Sequence, residues 1–120
     1  MDHAATRRRL FLALVASLAI AQVAAAENPD GRKRGKYVIE ILNHRFVPAE
    51  LEVPAGKKIK LRIINRDATP EEFESYPLNR EKVVAGKRRI TVFIGPLKPG
   101  RYPFFGEFHP KTAQGVIVVK

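Results

Sequence analysis

The chain has 120 residues, no cysteine, and 22 lysines and arginines against 12 acidic side chains, for a net charge of +10. That length holds one small domain, and the missing cysteine excludes disulfides and thiolate metal ligands. A basic balance points to nucleic acid, an anionic membrane surface or an acidic partner.

The amino-terminal residues read as a targeting segment. Arg7, Arg8 and Arg9 are positive, Leu10 to Val23 is apolar apart from Ser17 and Gln22, and Ala24-Ala25-Ala26 offers small residues to a signal peptidase. The apolar run falls short of the roughly 20 residues a membrane span needs. Residues 1–26 are therefore expected to be a signal peptide cleaved after Ala26, with export to the periplasm and no stable membrane insertion afterwards. Thr6-Arg7-Arg8-Arg9-Leu10-Phe11 loosely resembles a twin-arginine signal, but the general secretory route is the simpler expectation.

Removing Arg7, Arg8, Arg9 and Asp2 leaves nineteen basic and eleven acidic side chains, a net of +8. The charges are spread over Arg32-Lys33-Arg34-Lys36, Lys57-Lys58-Lys60 and Lys87-Arg88-Arg89. They read first as a solvated surface, with a docking face for an acidic partner as the alternative. No nucleic-acid motif is present, so no nucleic acid is expected as a partner.

Residues 27–36, with Asn28-Pro29-Asp30-Gly31 and a charge run, read as a flexible lead-in to a domain over 37–120. Tyr37 to Leu42 is the first strand, and Leu51-Glu52-Val53 the second, closed by Pro54-Ala55-Gly56. Lys58 to Ile64 alternates charged and aliphatic residues, which sends Ile59, Leu61 and Ile63 to the core. A short extended piece follows around Phe73, whereas Glu81-Lys82-Val83-Val84 fits either a helical turn or a strand edge. Arg88 to Ile94, Tyr102 to Phe105 and Val116 to Lys120 complete about seven strands, with turn signals between them. The pattern is all-β, an antiparallel sandwich or barrel.

The closing segment is the most specific. Tyr102, Phe104 and His109 keep the spacing of the blue-copper pattern Tyr-x-Phe-x-Cys-x-x-His-x-x-x-x-Met, with Gly106 at the cysteine place and Gln114 at the methionine place. Asn43-x-x-Phe46-x-Pro48 with Val53-Pro54-Ala55-Gly56 resembles the opening hairpin of the cupredoxin superfamily, and Ile63-x-Asn65-x-Asp67-x-x-Pro70 its approach to the first histidine ligand. Leu97-Lys98-Pro99-Gly100-x-Tyr102 resembles its tyrosine corner. Within the superfamily, Pro70 to Glu74, Asn79 to Val84 and Gly95 to Gly100 are most similar to EfeO-type cupredoxin-like domains. The resemblance implies a Greek-key β-sandwich and a place among exported components of bacterial iron-uptake systems, including Ftr-type ferrous transporters. The approach to the first histidine reaches Glu71 or Glu72 here, so of the type 1 ligands only His109 remains.

Carboxylates stand where the soft ligands are lost. Glu71, Glu72 and Glu74 share one strand, and alternation puts Glu72 and Glu74 on one face. Glu81 follows on the next connection, and the resemblance implies that Glu107 and His109 lie in the loop at the same end. The expected metal ligands are Glu72, Glu74, Glu107 and His109, with Glu81 as a further ligand or outer support. Such an oxygen-rich set suits iron, Cu(II), Zn(II) or Mn(II), and not Cu(I), which prefers sulfur. Affinity should fall as the imidazole protonates. Each residue also has a plainer reading: Glu72 and Glu74 as the wet face of an edge strand, Glu107 as a loop charge, His44 as a turn residue, Tyr102 as the sandwich corner.

The leading functional expectation is an exported metal-binding accessory protein, carrying iron or copper for iron uptake. Its partner would be an inner-membrane iron permease or another periplasmic metal protein. A small ferroxidase and a metal-free docking module are the alternatives. No Ser/His/Asp triad or phosphate-cradling glycine loop suggests other chemistry.

Overall fold

The computed structural model describes residues 35–120. The expected signal peptide, residues 1–26, and most of the lead-in lie outside the described residues. Nine strands follow: β1 (Tyr37–Leu42), β2 (Arg45–Val47), β3 (Glu50–Val53), β4 (Ile59–Asn65), β5 (Glu71–Ser75), β6 (Arg80–Val84), β7 (Arg89–Ile94), β8 (Gly100–Phe105) and β9 (Gln114–Val119). No helix occurs among the described residues, and none is long and apolar enough to cross a membrane.

The strands form two sheets, one in the order β2-β1-β4-β7 and the other β3-β9-β8-β5-β6. This is the expected all-β cupredoxin-like sandwich, with two parallel pairs, β1 with β4 and β3 with β9, in place of the all-antiparallel pairing the turn pattern suggests. It has two strands more than the seven or so expected. One is β2: three residues before Pro48 are too few to show alternation. The chain then changes sheets within two residues, since β2 pairs with β1 and β3 pairs with β9. The other is β6, the ambiguous segment, whose register with β5 sets Glu74 opposite Glu81 and Glu72 opposite Val83.

Alternation decides the core. Ile59, Leu61 and Ile63 are buried as expected, joined by Ile39, Ile41, Val92, Ile94 and Ile117. Burying each large aliphatic side chain contributes roughly 1.5–3 kcal/mol. Phe46, Phe73 and Phe104 pack between the sheets, with centroids 4.9 Å apart for Phe46–Phe104 and Phe73–Phe104. A Cβ on Gly115 would lie 2.3 Å from the Phe104 ring, so only glycine fits there. The Tyr102 hydroxyl donates to the Lys98 carbonyl at 2.8 Å, which is the expected corner.

Three connections meet at one end. Buried Asn65 ends β4 and is fully used: its amide donates to the Thr69 and Val84 carbonyls, and its oxygen accepts the Asp67 N–H. Asp67 is thereby placed to accept the N–H groups of Asn43 and His44, at 2.8 and 2.9 Å. The turn they belong to needs that support, because both residues adopt positive φ, 53° and 59°. The β8–β9 loop closes the same end, the N–H of Phe108 donating to Glu71.

Candidate metal centres

Strand β5 carries both candidate centres because its residues alternate. Glu71, Phe73 and Ser75 face inward, and Glu72 and Glu74 face outward.

The outward group is the larger. Glu74 lies opposite Glu81 on β6 and opposite Phe105 on β8, and continuing the latter register sets Glu72 beside Glu107. Ligand oxygens of Glu72, Glu74, Glu81 and Glu107 all lie within 4.8 Å of one another. Glu81 and Glu107 are exposed, whereas Glu72 is only 3 % exposed, and its buried Oε1 has no hydrogen-bond partner. Among the described residues, no lysine or arginine pairs with any of the four.

The energetics are unfavourable for four free anions. Two like charges about 4 Å apart repel by roughly 4 kcal/mol at the effective dielectric of a protein surface. Burial first, then the adjoining carboxylates of Glu81, Glu107 and Glu74, push the Glu72 carboxyl up to about 8. Glu74 is raised too, by burial and then by the charges of Glu81 and Glu107. A proton on Glu72, or a cation among the four, would offset this repulsion. The all-oxygen donor set of the group suits hard ions.

The inward group joins the expected ligand His109 to Glu71 and His44, neither of which is among the expected ligands. Glu71 is 1 % exposed. Its Oε1 accepts the N–H groups of Glu72 and Phe108, at 2.9 and 3.1 Å, and its Oε2 meets His109 Nδ1 at 2.5 Å. His44 stacks on His109 with ring centroids 3.6 Å apart and planes 16° from parallel. His44, Glu71 and His109 each present a ligand atom within 4.8 Å of the others. Of the five expected ligands, the structure thus brings Glu72, Glu74, Glu81 and Glu107 together and places His109 in this other group. His44 is the expected turn residue and also reaches His109. The signal for Glu71 was available: if Glu72 and Glu74 share a face, Glu71 shares the core face with Phe73, where a carboxylate needs partners.

The architecture is that of a cupredoxin. A purple cupredoxin from Nitrosopumilus maritimus has a similar structure, with a TM-score of 0.57 and 21% identity, covering 71% of this chain and 100% of that one. Amicyanin from Paracoccus versutus gives a TM-score of 0.59 at 15% identity, covering 76% of this chain and 87% of that one. These likenesses establish the fold. The family model for the cupredoxin-like domain matches residues 10–119, and the chain belongs to that family. An uncharacterized protein of Rickettsia prowazekii (strain Madrid E) is 53% identical over 81 residues, 68% of this chain. The chain spans 65% of the length of that relative.

The fold usually binds copper, yet the residues do not fit a type 1 centre, which needs a thiolate, two imidazoles and a weak axial ligand. Gly106 stands at the cysteine place. A Cβ there would lie 2.5 Å from Glu71 Oε1 and 2.8 Å from the Ala113 Cβ, so the Glu71 carboxylate fills the room a cysteine would need. Gln114, at the axial place, is exposed and donates its side-chain amide to the Pro110 carbonyl at 2.9 Å. A metal could instead be held by the chain's own histidine and glutamate groups.

Proposed function

We propose that this chain is an exported, periplasmic metal-binding protein that carries iron or copper for an iron-uptake system. One observation carries the reading: Glu72 buries a carboxylate oxygen without a partner, among three further carboxylates. A protein of net charge +10 gains nothing in stability by gathering four of its acids, whereas a cation would offset their repulsion. Glu72, Glu74, Glu81 and Glu107 are the ligands in this reading. The resemblance of Pro70 to Glu74 and Asn79 to Val84 to EfeO-type domains supports the iron-uptake role. The partner is then an inner-membrane iron permease or a second periplasmic metal protein, and the dispersed lysines and arginines favour an acidic docking face on it.

The test is the metal content of the protein as cells make it. Chain recovered from the periplasmic fraction should carry about one iron or copper per molecule, and the Glu72→Gln protein should carry far less. Recovery from the cytoplasm alone, or equal metal in both proteins, would refute the proposal. Catalytic loss of Fe(II) under oxygen would replace the carrier with a ferroxidase.

A further inference from the structure

We propose that the outer face of the β3-β9-β8-β5-β6 sheet docks a basic, proline-bearing segment of a partner protein. Its prolines lie in an aromatic groove, and a lysine or arginine enters the glutamate cluster. The groove is lined by Tyr76, Pro77, Pro103, Phe105, Pro110 and Gln114 and holds about 360 Å³. Strand register explains why it borders the cluster. Glu74 lies opposite Phe105, and Phe105 opposite Gln114, so the three side chains share one face of the sheet. Tyr76 follows two residues after Glu74, and its ring leans on Phe105 with centroids 5.6 Å apart and planes 54° from parallel. Groove and carboxylates therefore form one continuous surface.

Each half selects part of the occupant. Tyr76 is 76% exposed and adds nothing to the core. Aromatic-lined grooves of this kind take up proline-rich segments, because a polyproline helix is already extended and loses little entropy on docking. A wholly apolar ligand would leave the carboxylates uncompensated. Glu72 buries Oε1 without a partner, and Glu74, Glu81 and Glu107 stand around it. A lysine or arginine placed there makes charge-assisted hydrogen bonds and lies close to the two aromatic rings. The chain has a net charge of +10, so a basic segment is repelled by the surface at large and drawn to this cluster.

The segment and an ion use the same carboxylates, so each displaces the other. That competition rests on the carrier reading above, whereas the docking does not. It would let a partner release the ion where it binds. This contact is distinct from the acidic face proposed for the dispersed lysines and arginines.

Fluorescence anisotropy of a labelled synthetic peptide of alternating proline and lysine, titrated with the metal-free full chain, tests the proposal. Binding should saturate and weaken with added salt. It should be about tenfold or more tighter than that of an alternating alanine–lysine peptide. An alternating proline–glutamate peptide should not bind. Tyr76→Ala should lower the affinity for the proline–lysine peptide to that for the alanine–lysine peptide. Glu74→Gln/Glu81→Gln should weaken it about tenfold or more. Tyr76 and Glu81 are exposed, and Glu81→Gln alone gives the charge reading should the double variant fold poorly. No saturable binding, equal affinity for the alanine–lysine peptide, or no loss in Tyr76→Ala overturns the docking site. A chain that binds the peptide and no metal would refute the carrier reading alone; one that binds metal and no peptide would refute the docking alone.

Discussion

Gly106 and Glu71 occupy one space between them: a Cβ on Gly106 would sit 2.5 Å from Glu71 Oε1, and Glu71 is 1 % exposed. The missing side chain at position 106 and the buried carboxylate are therefore coupled by packing. A side chain at position 106 and the buried Glu71 carboxylate exclude each other at this end of the sandwich.

That coupling predicts how the position responds to substitution. Gly106→Ala should destabilise the domain by about 1–3 kcal/mol through overpacking, read as a lower urea midpoint. Glu71→Ala should itself be destabilising, but it opens the space. In the Glu71→Ala background the added cost of Gly106→Ala should therefore shrink, the non-additivity of residues in contact. Gly106→Cys alone should yield no blue centre on addition of copper, because Glu71 still fills the ligand position.

Glu72 predicts an inverted pH dependence. Its folded carboxyl is raised to about 8 from the ordinary 4.5, so between those values the folded chain holds a proton that the unfolded chain has lost. The contribution is fully present below pH 4.5 and is lost as pH rises through about 8. Thermal melts of the metal-free domain should therefore fall from pH 5 toward pH 8, and Glu72→Gln should flatten that slope. A divalent cation should restore stability most strongly at the alkaline end, where it replaces the lost protons. A wild-type slope as flat as that of the variant would contradict the assignment.

Asp67 predicts the opposite sign. Its folded carboxyl lies below the usual value, so its stabilisation is present at neutral pH and lost as the medium falls through that lowered value. Asp67→Ala should cost about 1–3 kcal/mol, because it leaves the Asn43 and His44 N–H groups without their acceptor. It should also broaden the His44 and His109 ring resonances, since the turn that stacks them is loosened. Sharp, unshifted ring signals would show that the stack stands without Asp67.

Much of this was legible in sequence. The alternation of Lys58 to Ile64 placed Ile59, Leu61 and Ile63 in the core, and Leu97 to Tyr102 placed the corner. The shared face of Glu72 and Glu74 followed from strand period alone, and the cross-strand register with Glu81 extended it. What stayed hidden depends on contacts between distant segments. Arg45–Val47 is too short to show a period, so β2 became visible only through pairing with β1. His44 read as a turn residue, and so it is; its stacking on His109 arises because Asp67, more than twenty residues away, ties down the turn. His109 was placed at the metal end by its spacing from Tyr102, but the preference for Glu71 over the outer glutamates comes from which side of β5 the loop covers.

The most direct test is calorimetric titration of the metal-free full chain with Mn(II), an ion that favours oxygen donors over imidazole. The account predicts saturable binding of one ion per chain at neutral pH, weakened about tenfold or more by Glu72→Gln and unaffected by His44→Ala. Absence of binding, or binding equally strong in Glu72→Gln, would mean that the four glutamates hold protons and no metal.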